Sequence, residues 1–251
     1  MKNALIVGAT GFGGLGLIEI LLRHPGITIN QLVARRDVGM RINEVFPHLT
    51  GFCELPVQGT DEIDYGDIDI AFFSTPDRAG MTLIEHFTKH SIPVIDFSGD
   101  FRFKNTDDYT VYAKNKGMET AHHTPDALAA SVYGLPELYA DTIRTAKIVG
   151  NPGCFAICMI LALIPAVKEK LIDTDTIVCD GKTGVSGAGK NPGESNFYPQ
   201  RYEDVNTYRE GKHQHLVEVE NVLRDVGGKT KIFFVPQIVP LNRGILITAY
   251  G

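Results

Sequence analysis

Gly150-Asn151-Pro152-Gly153-Cys154-Phe155 sets a cysteine at the start of a long apolar run. If that run is a helix, the thiol lies at its N-terminus, where the positive end of the dipole lowers its pKa and favours thiolate. The free N–H groups of the first turn can also stabilise an oxyanion when the thiolate attacks a carbonyl. Pro152 and Gly153 make the sharp turn that would present the sulfur. The residues alone leave two readings open, a nucleophile or a cysteine buried at a helix start.

A reacting thiolate needs a partner that moves protons. Among 8 histidines, the most suggestive are His213 and His215, in Gly211-Lys212-His213-Gln214-His215-Leu216-Val217-Glu218. A glycine precedes the pair and a helix-like stretch follows it. Alternate histidines also occur in metal sites, but no third ligand stands nearby, so no metal is expected. His122-His123 lies in a polar stretch and reads as surface.

A second kind of chemistry is written in Gly8-Ala9-Thr10-Gly11-Phe12-Gly13-Gly14, which follows an apolar run and opens a helix-like one. Glycines at 8, 11 and 14 permit a tight turn and close backbone approach to a pyrophosphate, which the helix N-terminus then attracts. The strand-to-helix context distinguishes this from an ordinary turn. The next strand-like run ends Val33-Ala34-Arg35-Arg36. An acidic residue in this region suits the ribose hydroxyl of NAD, whereas arginine suits a 2′-phosphate, so NADP(H) is the expected cofactor.

The elements that must position these residues change character along the chain. Strands are expected at Ala4–Val7, Ile29–Ala34, Ile68–Phe73 and Pro93–Phe97, with helices at Gly16–Arg23 and Ala79–His90. This alternation implies an α/β fold with a Rossmann-type doubly wound parallel sheet. Cys154 to Lys168 reads as one buried helix. Strands follow at Thr176–Gly181, Lys231–Val235 and Gly244–Tyr250. Strands that succeed one another without helices imply an α+β domain with a mixed or antiparallel sheet. The expected division is a nucleotide-binding domain over 1–148 and a catalytic and oligomerisation domain over 149–251, whose strand-rich make-up suits a homodimer or homotetramer.

Bulk properties narrow the class. A chain of 251 residues, 43% hydrophobic, can bury one large core or two modest ones. A net charge of −6 with no Lys or Arg run argues against a nucleic-acid partner. No apolar stretch reaches the ~20 residues that span a bilayer, and the first apolar run is broken at once by glycines, unlike a signal peptide. The 4 cysteines match no zinc spacing. Free thiols in the cytoplasm are the simplest reading.

These motifs resemble the N-acetyl-gamma-glutamyl-phosphate reductase family of arginine biosynthesis. The likeness runs through Gly8-Ala9-Thr10-Gly11-Phe12, Glu44-Val45-Phe46-Pro47-His48-Leu49, Asp96-Phe97-Ser98-Gly99-Asp100-Phe101-Arg102 and Val132-Tyr133-Gly134-Leu135-Pro136-Glu137. It continues through Gly150–Cys154, Gly184-Val185-Ser186-Gly187-Ala188-Gly189, the His213–His215 run and Val235–Leu246. The resemblance implies that Cys154 attacks an acyl phosphate, that hydride from NADPH reduces the resulting thioester, and that an aldehyde is released. It points to His215 as acid/base, oriented by Glu218 one helical turn on, with His213 as runner-up. Arg102, Asn151, Lys190 and Glu218 form the candidate substrate set. Ser74, Pro76 and Gly187 join Gly8, Thr10, Gly11, Phe12, Gly13, Gly14, Arg35 and Arg36 in the cofactor set.

The family has arginine where Lys190 stands, and His-Arg-His-Thr-Pro-Glu-Ile where this chain has His213 to Val219. The last strand runs to the chain end, and the family's closing segment, which helps complete the cofactor pocket, does not follow it. The chain therefore reads as a shortened form with weak cofactor binding. Two alternatives accompany this reading. One is an aminoadipyl- or aspartyl-phosphate reductase of the same architecture, the former acting on an acidic carrier protein that needs a basic surface. The other is a non-catalytic NADP-binding sensor, which would need the glycine loop but not Cys154, His215 and Arg102 together.

Overall fold

A computed structural model describes residues 1–193 and 196–251. In chain order its helices and strands are β1 (Lys2–Val7), α1 (Phe12–Leu21), β2 (Ile27–Val33), α2 (Ile42–Val45), β3 (Val57–Gln58), β4 (Ile70–Phe73), α3 (Ala79–Lys89), β5 (Val94–Asp96) and α4 (Thr106–Lys116). Then come α5 (Pro125–Ala129), β6 (Val132–Tyr133), α6 (Pro136–Thr145), β7 (Ile148–Gly150), α7 (Cys154–Lys168) and β8 (Ile177–Thr183). The chain closes with α8 (Tyr198–Arg201), β9 (Asn206–Thr207), α9 (Leu216–Gly227), β10 (Ile232–Ile238) and β11 (Ile245–Tyr250). No helix among the described residues is long and apolar enough to cross a membrane.

The chain divides into two compact units, one of residues 1–105 and 122–151, the other of 106–121 and 152–251. The first holds a parallel sheet in the order β3-β2-β1-β4-β5-β7-β6. The order reverses direction between β1 and β4, which is the topological switch point of a doubly wound sheet. Both faces of such a sheet are covered, so its strands run apolar rather than alternating. β1 shows this, with Ala4, Leu5, Ile6 and Val7 all buried. Leu15, Leu17, Ile18 and Leu21 of α1 pack in the same core cluster as Ala4, Ile6 and Leu32. The sequence pattern located the main strands but not β3, β6 and β7, whose two or three residues are too few to show a period.

The second unit holds a mixed sheet in the order β11-β8-β10-β9. β8 pairs parallel with β10 and antiparallel with β11. A parallel pair needs a crossover, and α9 supplies it. The second half is thus not a plain succession of strands, as its pattern had implied. The helix read at Cys154–Lys168 is α7. Its buried Phe155 meets Phe234 of β10 edge to face, with ring centroids 5.0 Å apart, so α7 covers one face of this sheet. α4, with Tyr109, Tyr112 and Ala113 buried, belongs to this unit although it precedes β6 and β7 in the chain.

Candidate active site

In the first unit, the ends of β1 and β4 meet at the switch point. Gly8 has φ +87°, and a Cβ there would overlap the Ser74 carbonyl oxygen. A Cβ on Gly13 would overlap Ser74 Oγ, and one on Gly14 would overlap the Gly8 carbonyl. The glycines that the backbone packing demands are therefore 8 and 14, while a side chain at 13 would need Ser74 Oγ to rotate away. Gly11 makes only ordinary contact and serves as the N-cap of α1. That cap has no side-chain bond, and no acidic residue occupies the first turn, which begins with Phe12. The N–H groups and the positive end of the dipole are thus left for an anion, which fits the pyrophosphate of a nicotinamide dinucleotide. Thr10 is buried in the same turn.

Around this loop stand the other expected cofactor contacts of the first unit. Ser74 follows β4, its N–H bonded to the Val7 carbonyl at 2.8 Å, and Pro76 is exposed two residues on. Arg35 and Arg36 are exposed just past the end of β2. β2 neighbours β1 in the sheet, so the arginines lie on the flank where the loop begins.

The segment after β5 is more densely wired than its sequence suggests. Asp96 and Asp100 are fully buried. Ser98 Oγ donates to Asp96 Oδ2 at 2.6 Å and accepts from the Asp100 N–H at 3.1 Å. Asp100 accepts the Arg78 N–H ahead of α3 at 2.7 Å, while Asp77 accepts the Gly99 N–H at 2.9 Å, so the β4 and β5 loops lock each other. Burial, then the charge of Asp100, pushes the Asp96 carboxyl up to about 7. Burial chiefly pushes Asp100 up to about 6. Arg102 donates Nε to the Asn151 carbonyl at 2.8 Å and Nη2 to the Phe97 carbonyl at 2.7 Å. The Asn151 N–H bonds the Asp96 carbonyl at 2.7 Å. Arg102 and Asn151 are thus brought together, with the arginine bracing backbone. His122, expected at the surface, is half-buried, its Nε2 2.7 Å from the Asp100 carbonyl; burial lowers its pKa.

In the second unit, Cys154 is the first residue of α7 and is exposed. The Gly153 N–H donates to Glu218 Oε2 at 2.9 Å in a buried bond. Glu218 Oε1 lies 3.9 Å from His215 Nε2. One carboxylate therefore touches both the turn that presents the thiol and the imidazole. A side chain at Gly153 would displace this pair, because a Cβ would come 2.5 Å from His215 Nε2 and 2.8 Å from Glu218 Oε1. His215 is the N-cap residue of α9, and Glu218 sits in the first turn of that helix. The i,i+3 spacing aligns them on one face.

His213 is placed differently from its neighbour. It is 1% exposed and ringed edge-on by Phe155, Phe234 and Tyr208, with centroids 5.5, 5.3 and 5.6 Å away. Burial, then the charge of His215, pushes its pKa down to about 3. Its Nδ1 accepts the His215 N–H at 3.2 Å, so this neutral ring seats His215. Tyr208 escaped the sequence reading. Its phenol is pushed up to about 12 by burial and next by the charge of Cys154, which places it in the field of the thiol. No spacing rule could have found it, since β10 positions it through its N–H bond to the Pro236 carbonyl. Gly187 and Lys190 lie exposed on the loop after β8.

The semialdehyde dehydrogenase NAD binding domain matches residues 3–146, and the semialdehyde dehydrogenase dimerisation domain matches residues 154–251. The fold is shared with aspartate semialdehyde dehydrogenase II from Vibrio cholerae, at TM-score 0.70 and 19% identity over 99% of this chain and 73% of that one. It is also shared with the Candida albicans aspartate semialdehyde dehydrogenase solved with NADP, at TM-score 0.63 and 16% identity over 100% and 71%. Fold and site together define an oxidoreductase of the semialdehyde dehydrogenase class. The N-acetyl-gamma-glutamyl-phosphate reductase of Methanocaldococcus jannaschii is 39% identical over 253 residues, 100% of this chain and 71% of the relative. That of Acidithiobacillus ferrooxidans is 37% identical over 252 residues, 100% and 72%. The chain belongs to the N-acetyl-gamma-glutamyl-phosphate reductase family.

Proposed function

We propose that this chain is a cytoplasmic, NADPH-dependent enzyme of arginine biosynthesis that reduces N-acetyl-gamma-glutamyl phosphate to N-acetylglutamate 5-semialdehyde and phosphate through a thioester on Cys154. The observation that carries this reading is the Glu218 carboxylate, shared between the Gly153 N–H beside the thiol and the His215 ring. That arrangement fits a nucleophile with its acid/base partner held in place. A sensor that only bound nucleotide would have no use for it.

Residues 1–148 supply the cofactor domain in this proposal, and 149–251 the catalytic and pairing domain. Gly8, Thr10, Gly11, Phe12, Gly13, Gly14, Ser74 and Pro76 hold the pyrophosphate side of the dinucleotide, and Arg35 and Arg36 face its 2′-phosphate. Gly187 remains in the cofactor set. Cys154 Sγ attacks the acyl carbon, so a C–S bond forms and the C–O bond to phosphate breaks. His215 takes the thiol proton and passes it to the departing phosphate oxygen. The N–H groups that open α7 are the donors for the oxyanion. When bound, the reduced nicotinamide supplies the hydride that turns the thioester into the aldehyde. Cys154 leaves as thiolate, and one proton taken up from solvent through His215 restores the thiol for the next turnover. Asn151 and Lys190 are assigned to the substrate, and Arg102 acts on it through the Asn151 backbone that it braces. His215 is preferred over His213 because the latter is walled in by aromatic rings and its lowered pKa makes it too weak a base to take up a proton near neutral pH.

The reaction is tested in reverse. N-acetylglutamate semialdehyde, phosphate and NADP should yield NADPH, with no signal when phosphate is left out. Faster turnover of aspartate semialdehyde would overturn the substrate assignment. NADPH formation without phosphate would overturn the acyl-phosphate chemistry.

A further inference from the structure

A short turn in the second unit fixes a phenol beside the thiol site. Tyr208 follows β9, and its N–H bonds the Pro236 carbonyl of β10 at 3.1 Å. Arg209 then takes a left-handed backbone with φ +52°, which reverses the chain. A residue other than glycine keeps that conformation only where its surroundings enforce it. Here the Gly211 N–H bonds the Phe234 carbonyl at 2.9 Å, and the Lys212 N–H bonds the Arg209 carbonyl at 3.0 Å. Arg209 Nη1 also donates to Gln214 Oε1 at 2.8 Å, which ties the start of the turn to the residue between His213 and His215. Tyr208 and His215 are therefore held at the two ends of one braced loop.

Ring contacts carry this placement to the nucleophile. Tyr208 meets His213 with centroids 5.6 Å apart, His213 meets His215 at 4.7 Å, and His213 meets Phe155 at 5.5 Å. Phe155 directly follows Cys154. Tyr208 is half-buried, yet its hydroxyl bonds to none of the described residues. A phenol withdrawn from water normally finds a partner. The charge of Cys154 acts on this phenol without a hydrogen bond between them. With its pKa pushed up to about 12, Tyr208 keeps its proton across the neutral range. It can give a hydrogen bond there but cannot serve as a base. A substrate joined to the sulfur brings the missing acceptor, because attack on the acyl carbon turns the carbonyl oxygen into an oxyanion.

We propose that Tyr208 is a further catalytic residue, whose hydroxyl donates a hydrogen bond to the acyl oxygen as it becomes an oxyanion on the carbon bound to Cys154. The proposal rests on the thioester reading of Cys154 and adds a side-chain donor to the N–H groups that open α7. Such an oxyanion forms twice, when the thiolate adds to the acyl phosphate and again when the thioester is reduced. No proton changes owner at Tyr208 in either step. A donor fixed in advance acts most strongly on charge that develops in the transition state. This separates Tyr208 from His215, which moves a proton, and from His213, which seats its neighbour.

The test runs the reaction in reverse on the whole chain, with N-acetylglutamate semialdehyde, phosphate and saturating NADP, and compares wild type with Tyr208→Phe. Phenylalanine keeps the ring against His213 and removes only the hydroxyl. Both kcat and kcat/KM should fall together by roughly 10²-fold, as when one oxyanion donor is lost, while KM for the semialdehyde stays within about twofold. The pH midpoint of Cys154 alkylation by iodoacetamide should not move. A raised midpoint would assign the hydroxyl to the thiolate and overturn the oxyanion role. A higher KM with kcat unchanged would make Tyr208 a ground-state contact, and unchanged kinetics would remove it from the reaction; either result overturns the proposal. A wild-type chain that forms no NADPH would overturn the reduction itself and this role with it, so the two failures are told apart by the wild type alone.

Discussion

The glycine loop of the first unit and the thiol site of the second are built from different materials. The loop works through backbone. Its glycines pack β1, α1 and β4 so closely that side chains are excluded, and what it offers is N–H groups and a dipole. The thiol site works through side chains drawn from separate elements, with Glu218 bonding Gly153 across 65 residues. A backbone site needs a few consecutive residues and degrades gradually when one is altered. A side-chain site fails abruptly, because each group has one chemical task.

The largest contrast is expected from Cys154→Ser. Turnover should fall by about 10³-fold or more, as for removal of a covalent nucleophile, while NADPH affinity measured by calorimetry stays within about twofold. A variant keeping a tenth of the activity would end the covalent mechanism. His215→Asn should reduce turnover by roughly 10²–10⁴-fold yet leave acyl transfer to Cys154 detectable by mass spectrometry. If His213→Asn damaged catalysis more at equal folded fraction, the roles of the two rings would be reversed.

Changes at the backbone site should be smaller and confined to binding. Replacing Arg35 and Arg36 together by glutamine removes one or two charge-assisted contacts of ~1.5–3 kcal/mol, so the NADP-over-NAD preference should fall about ten- to a hundredfold. An unchanged ratio would place the 2′-phosphate elsewhere. Gly8→Ala sets a side chain at φ +87° against the Ser74 carbonyl. The left-handed conformation alone costs ~1–2 kcal/mol, so cofactor affinity should drop roughly 5–30-fold. The rate of Cys154 alkylation by iodoacetamide should not change, and a matching loss of thiol reactivity would show that the two sites are not separable.

The smallest effect concerns the buried carboxylates. Asp96 and Asp100 hold their protons more tightly in the folded chain than at the ordinary value of 3.8. Raised folded-state pKa values mean that stability is greatest while both are protonated and declines as pH rises through about 6 and about 7. Asp96→Asn removes one of these ionisations. The fall in melting temperature from about pH 5 to about pH 8 should shrink by roughly 2–4 °C, whatever the variant's stability at a single pH. An unchanged slope would assign the decline to other groups.

Much of this molecule was legible in the chain itself. The strand-loop-helix at the N-terminus, the helix that begins at Cys154 and the mixed sheet all follow from local periodicity and glycine placement, which depend on neighbours within a turn or a strand. The order of the motifs identified the family resemblance as well. What periodicity cannot show is which distant side chains meet. The choice between His213 and His215 is an example. Both occupy one short run, and only the packing of Phe155, Phe234 and Tyr208 around the first makes it a neutral core ring. Arg102 is another, since its charge suggested an anion while its guanidinium braces the carbonyls of Phe97 and Asn151.

The sequence by itself determined where backbone chemistry can occur, because a glycine turn ahead of a helix creates its own donors and dipole. It also put a cysteine ahead of a long apolar run, and the family resemblance made Cys154 the candidate nucleophile. Tertiary structure alone decided that α4 joins the second unit, that Tyr208 lies in the field of Cys154, and that Asp96 and Asp100 share a buried network. It alone placed one carboxylate against both the turn that precedes Cys154 and His215. The reason is physical. Hydrogen bonding and electrostatics act between neighbours in space, over a few ångströms, and the chain's order does not encode which residues those will be until its strands are paired and its helices packed.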